Sequence, residues 1–270
     1  MTMLVACEQQ RFESTATENV VLLEQELTMN ELQRTRQVRL YLPPGYKDSE
    51  QHYPVLYMHD AQNLFDTQTA YAGEWQVDEA LNTLHAEKGV AVIVVGIDNG
   101  GDKRINELSP WQNDDYGQAE GEAYVRFIVE QLKPYIDEHY KTKPDAANTG
   151  VMGSSLGGLI TQYAIFEYPN VFSKAGVYSP SFWFSDAVYE HASEKLSKLS
   201  SEHKIHYLVG TEEGSDSVAD INKMVSIISE ATASQAVNQP VLLVNIVPGG
   251  EHNESFWAQH FAMTIEFLYH

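Results

Sequence analysis

Residues 90–97 read VAVIVVGI, a run with no polar side chain and no alternation. It is far too short to cross a bilayer, so both of its faces must be covered by protein. That is the signature of a strand inside a sheet rather than at its surface. YPVLYMHD (53–60) reads the same way, and NTGVMG (148–153), KAGVYS (174–179), KIHYLVG (204–210) and VLLVNIVP (241–248) are further candidates for buried strands. Helical patterns separate them: DEALNTLHAE (78–87), YVRFIVEQLKPYIDEHY (124–140), SSLGGLITQYAIFEY (154–168), DSVADINKMVSIISEA (216–231) and NESFWAQHFAMTIEFLYH (253–270). In the second of these, Tyr124, Phe127, Ile128, Leu132, Tyr135 and Ile136 form one stripe, with a kink expected at Pro134. Ahead of them, VVLLEQELT (20–28) and RQVRLYLPP (36–44) alternate apolar and polar residues, as half-exposed edge strands do. Strand and helix in alternation after an edge hairpin predict an α/β fold: a mostly parallel, doubly wound sheet with helices on both faces and antiparallel N-terminal edge strands. With 43% hydrophobic residues in 270, the chain can fill one such core. Residues 19–270 are expected to form that single domain, and residues 1–18 a flexible polar tail.

The formal charge of −21, from 17 Lys+Arg against 38 Asp+Glu, argues against nucleic acid or an anionic membrane surface as partner. Cys7 is the only cysteine, which excludes a disulfide framework and a cysteine zinc site. LVAC (4–7) has the look of a bacterial lipoprotein cleavage box, yet no basic and apolar segments precede it. As written the sequence reads as cytoplasmic. The alternative is a periplasmic or lipid-anchored envelope protein, if the start lies inside a longer signal ending at Cys7.

The chemistry centres on NTGVMGSSLGGLITQY (148–163), where Gly153-Ser154-Ser155-Leu156-Gly157 fits G-x-S-x-G. Small residues at a strand–helix junction have a plain packing explanation. The pattern also sits where a nucleophile elbow works, between a buried strand and a helix. Such a turn strains the serine backbone, and glycines remove Cβ atoms that would clash. Ser155 is then the nucleophile, at a helix N-terminus that favours a developing oxyanion. Ser154 lacks a glycine two residues before it.

A serine hydroxyl needs a base, and in this arrangement the order is serine, acid, histidine, with acid and base in loops after strands. Of ten histidines, His252 in PGGEHNESFW (248–257) follows a strand and precedes the last helix. His206 lies in a strand run, and His139, His191 and His260 lie on helical patterns, as ordinary packing or surface histidines do. The acid belongs in TEEGSD (211–216), where Glu212, Glu213 and Asp216 are all candidates. The backbone N–H groups of Leu156 and Gln62, the latter in HDAQNLFD (59–66), are the expected oxyanion donors. His59 and Asp60 read as a buried, hydrogen-bonded pair at a strand end.

These residues resemble those of the putative esterases of the α/β-hydrolase superfamily, which include esterase D, enterochelin esterases, bacterial feruloyl esterases and mycolyltransferases. The resemblance covers nearly all of residues 36–270. It is carried by YLPPGY, YPVLYMHDAQNLFD, EWQVDEAL, VIVVGIDNGGDKRINELSPW, LKPYIDEHYKT, GSSLGGLIT, YPNVFSKAGVYSPSFWF and GGEHNESFW. It implies the α/β-hydrolase fold, with Ser155 as elbow serine and His252 as base. The family's G-x-x-acid turn falls on Gly210 to Glu213, which selects Glu213 as the acid. Ala61 stands where the family often has glycine. The implied activity is a serine carboxylesterase without metal or organic cofactor, acting on small acyl, feruloyl or acetyl sugar, or siderophore-type esters. A thioesterase of the S-formylglutathione hydrolase type and a non-catalytic binding module are the alternatives. Trp111, Trp183 and Arg104 are candidate substrate contacts, each with a plain alternative in packing or, for Arg104, pairing with Glu107.

Overall fold

A computed structural model describes residues 13–235 and 239–270; LVAC and Cys7 lie outside them. The two alternating segments at the start each break in two. VVLLEQELT gives β1 (Val20–Leu22) and β2 (Leu27–Met29), and the second segment gives β3 (Arg34–Arg36) and β4 (Val38–Tyr41). The break falls where Leu23 turns inward and its N–H bonds Val38 O (2.9 Å), leaving Glu24–Glu26 in solvent. β2 and β3 then pair as a separate small hairpin, while β1 pairs antiparallel with β4.

The apolar runs become β5 (Val55–His59), β6 (Ile93–Ile97), β7 (Thr149–Ser154), β8 (Lys174–Tyr178), β9 (Lys204–Gly210) and β10 (Val241–Val247). The sheet has the order β1-β4-β6-β5-β7-β8-β9-β10; β5 to β10 run parallel, and β4 is antiparallel to β6. β5 to β8 are buried at every residue, because helices cover both faces. β10 departs from the expectation of burial: it has only β9 as a partner, and as an edge strand it stays half-exposed.

Eight α-helices complete the described chain: α1 (Val77–Lys88), α2 (Arg104–Glu107), α3 (Gly121–Phe127), α4 (Lys133–His139), α5 (Leu156–Glu167), α6 (Ala187–Lys195), α7 (Ser217–Gln235) and α8 (Glu254–Tyr269). Alternate residues of β5 serve two cores: Val55 and Tyr57 face α3 to α7, and Leu56 and Met58 face α1 and α8. The kink expected at Pro134 takes the form of a π turn, Ile128–Leu132, between α3 and α4. The wider turn accommodates a ring that would strike a carbonyl of a regular α-helix. None of the described helices is long and apolar enough to cross a membrane.

The stretch expected to be a free tail is tied down from Ser14 onward. Ser14 Oγ donates to Asp66 (2.7 Å), Thr15 Oγ1 to Glu74 (2.8 Å) and Thr17 N to Asp78 (2.8 Å). Strand order reverses between β5 and β7, since the chain adds β6 on one side and β7 on the other. The crevice at the carboxyl ends of those two strands is where open α/β sheets bind ligands.

Candidate active site

β7 ends at Ser154 and α5 begins at Leu156, so the reversal falls on one residue. Ser155 has φ 59° and ψ −123°, a region that costs a non-glycine residue about 1–3 kcal/mol. Three backbone hydrogen bonds hold it there. Its N–H donates to Tyr178 O (3.0 Å), and its carbonyl accepts from Leu159 N and Ser181 N (both 3.0 Å). The helix behind it is buried at every residue from Leu156 to Phe166, Thr161 and Gln162 included, so the turn rests on a fixed support.

The glycines around Ser155 do not contribute equally. A Cβ on Gly153 would lie 2.8 Å from the backbone of Gly157, and one on Gly158 would lie 2.7 Å from Tyr178 O. A Cβ on Gly157 would come no nearer than 3.4 Å, to Asp60 Oδ2. Close approach therefore requires glycine at 153 and 158, whereas the motif had pointed to 153 and 157. Ser155 Oγ is hydrogen-bonded to Ser181 Oγ (3.2 Å).

His252 sits in the loop between β10 and α8, with its ring edge-on to Trp257 at 5.1 Å. Its Nδ1 meets Glu213 Oε2 at 3.1 Å. The Glu213 side chain is nearly fully buried (1% exposed), and its other oxygen accepts from Ser179 Oγ (2.7 Å) and Gly210 N (2.6 Å). Ser179 in turn accepts from the indole N–H of Trp257 (2.8 Å). Ser179 has φ 41°, pinned through Ser179 N to Leu208 O (2.7 Å). Of the three acids in the 211–216 loop, Glu213 is the one that reaches His252. Nothing in the pattern singled out Ser179; a serine before Pro180 at the carboxyl end of a strand was its only trace.

Ser155 and His252 line one cavity of about 700 Å³, and its opposite wall is the loop after β5. Asp60 (φ 57°) carries the pivot of that loop. Arg104 grips it with two N–H groups, Nε to Oδ1 (2.6 Å) and Nη2 to Oδ2 (2.9 Å), and Asn99 Nδ2 adds a third bond (2.7 Å). The Gln62 amide closes a ring with the Asn99 backbone, accepting from its N–H (3.0 Å) and donating to its carbonyl (3.3 Å). The backbone N–H groups of Leu156 and Gln62 have no protein acceptor among the described residues. Ala61 fits at the start of this loop because Gly96 faces it: a Cβ there would lie 2.8 Å from that of Ala61.

His59 and Asp60 are not bonded to each other. His59 is buried against Tyr124 OH (2.9 Å), and burial drives its pKa down to about 4. Arg104 pairs with Asp60 rather than Glu107, which is held by Arg34 and Arg36. Trp111 packs edge-on to Tyr163 (5.8 Å) and His191 (5.6 Å), away from the cavity lining. Trp183 is exposed beside Tyr116 and Phe184 and does not line the cavity either. The aromatic lining comes instead from Tyr71, Trp75 and Trp257. His206 is a core histidine, bonded to Thr264 (2.6 Å) and Asn245 (2.9 Å).

The family described as Putative esterase matches residues 29–268. The uncharacterized protein YbbA of Bacillus subtilis is 26% identical over 247 residues, covering 87% of this chain and 92% of YbbA. The crystal structure of the BES protein from Bacillus cereus superposes with a TM-score of 0.75 at 20% identity, over 99% of this chain and 100% of that one. The enterobactin esterase of Shigella flexneri, crystallised in the presence of enterobactin, gives a TM-score of 0.72 at 16% identity, over 94% of this chain and 60% of that one. Feruloyl esterases and siderophore hydrolases also share the fold.

Proposed function

The chain belongs to the Putative esterase family, and on that premise we propose that it is a serine carboxylic-ester hydrolase working through an acyl-enzyme. The observation that carries this reading is a positive-φ serine at a helix N-terminus, sharing one cavity with a histidine backed by a buried glutamate. In the proposed cycle, Ser155 Oγ leaves Ser181 and turns to His252. His252 Nε2 takes its proton as Oγ attacks the ester carbonyl. The oxyanion then receives the N–H groups of Leu156 and Gln62, which are free of other acceptors. Collapse expels the alcohol, which takes the proton from His252, and water enters by the same base to release the acid. Glu213 holds the ring with Nδ1–H toward itself and steadies the imidazolium. The three hydrogen bonds on Glu213 keep it fixed through the cycle.

The names borne by similar proteins support ester substrates that range from enterobactin to feruloyl esters. The test is hydrolysis of p-nitrophenyl esters, from acetyl to long acyl chains, by wild type and Ser155→Ala. Turnover that falls at least about 10⁴-fold in the variant supports the serine mechanism. Turnover that survives the substitution overturns it.

A further inference from the structure

The charge of the cavity wall bears on which esters enter it. Three carboxylates line it, those of Asp60, Asp102 and Glu254, against one guanidinium, Arg104. Arg104 is paired with Asp60 through two of its N–H groups. The nearby Arg39 is likewise committed, bidentate to Asp98 at 2.7 and 3.0 Å. Glu254 is different. It is 93% buried by its 7% exposure, yet its partner is a neutral amide, Asn63 Nδ2 to Oε1 (3.1 Å), and among the described residues it forms no ion pair. Burial holds its carboxyl above the usual range. Arg104 acts on it only at longer range and is already paired with Asp60, so a buried carboxylate hydrogen-bonded to a neutral amide still gains when a cation arrives.

An aromatic residue, Tyr71, lines the same cavity and is almost wholly exposed (96%). The same Asn63 amide holds both: its nitrogen donates to Glu254, and its oxygen accepts from Tyr71 N (2.9 Å). Asn63 thus ties the Tyr71 backbone and the Glu254 carboxylate to one stretch of wall, where an ammonium group would meet the charge of one and the exposed phenol ring of the other. The net charge of −21 steers cations toward the molecule as a whole.

Resting on the esterase reading, we infer that the Glu254–Asn63–Tyr71 cluster selects esters that carry an ammonium group and disfavours anionic ones. The experiment compares kcat/KM for butyrylcholine with that for its uncharged isostere, in which tert-butyl replaces trimethylammonium. The wild-type chain should favour the cation by about tenfold or more, and Glu254→Gln should bring the two within about twofold of each other. Tyr71→Ala should lower the ratio by less. A wild-type ratio at or below one overturns the inference, and so does a ratio that Glu254→Gln leaves intact. Ser155→Ala separates the two claims: it abolishes both reactions if the serine mechanism holds, whatever the charge preference. Should neither ester turn over, phenyltrimethylammonium is titrated calorimetrically into Ser155→Ala. Saturable binding that Glu254→Gln removes sustains the inference, and absence of saturable binding overturns it.

Discussion

The two walls of the cavity are held in opposite ways. On the serine side, Ser155, His252 and Glu213 are fixed by buried backbone, by a helix buried on every side, and by a chain of hydrogen bonds from Trp257 through Ser179 to Glu213. On the loop side, residues 60–75 are fixed by an ion pair to Arg104, an amide ring with Asn99 and bonds from Ser14 and Thr15 of the N-terminal segment. The first wall relies on packing and tolerates little change. The second relies on polar contacts near solvent, each individually weaker. In the reading proposed above, the first wall supplies Ser155, His252 and Glu213, and the second supplies the Gln62 donor and Tyr71.

That contrast orders the expected effects of substitution. Glu213→Gln keeps the size of the side chain but removes the charge that orients His252. It should lower kcat by about 10²–10⁴-fold while leaving KM nearly unchanged. Steady-state kinetics on a p-nitrophenyl ester measure this; an equal loss through KM would place Glu213 in binding instead.

The glycines give the next test. Gly158→Ala would push a Cβ against Tyr178 O, so it should cost about 1–3 kcal/mol of stability and about a hundredfold in activity. Gly157→Ala, with ordinary contact distances, should stay within a few-fold of wild type by both thermal melting and turnover. Equal damage from both would mean that the motif glycine matters for a reason other than space.

On the loop wall, Arg104→Met leaves Asp60 without its countercharge at the pivot before Gln62. A loss of about tenfold in kcat/KM is expected, with the pair partly screened by solvent. A loss as large as that of Glu213→Gln would erase the distinction between the walls.

The smallest effect on activity concerns two buried histidines. Burial lowers the pKa of both His59 and His206 to about 4, against 6.5 in the unfolded chain. Below pH 6.5 the unfolded chain binds protons that the folded one refuses. Their contribution is therefore complete above pH 6.5 and declines as pH falls toward 4, by up to about 3 kcal/mol for each residue. Urea unfolding at pH 7.5 and 4.5 reads this, and His206→Gln should flatten the dependence.

The same contrast explains what could be read from sequence. Continuous apolar runs announced the interior strands, because burial on both faces leaves no place for a polar residue. The turn at Ser155 was legible because it restricts the residues beside it, and the loops of His252 and the acid because each follows a strand; Glu213 was preferred to Glu212 and Asp216 only through the family resemblance. Gly158 was not, since its constraint is a carbonyl of β8 that no local pattern reveals. The loop wall was mostly illegible. Asp60 and Arg104 lie 44 residues apart, and Asn63 reaches Glu254 across 191. Trp111 and Trp183 drew notice as large side chains in loops, but loop paths depend on such distant contacts, and these carried both rings elsewhere. The breaks in the N-terminal strands were hidden for a related reason: alternation continues through Leu23, while only pairing with Val38 shows where the first strand stops.

The central claim is that Ser155 is the nucleophile, oriented toward a His252 that Glu213 supports. The most direct test is fluorophosphonate labelling followed by peptide mass spectrometry, in wild type and His252→Ala. A single adduct on Ser155, formed far more slowly in the variant, is the result expected. An adduct on another residue, or ester turnover by a protein that forms no adduct, would contradict it.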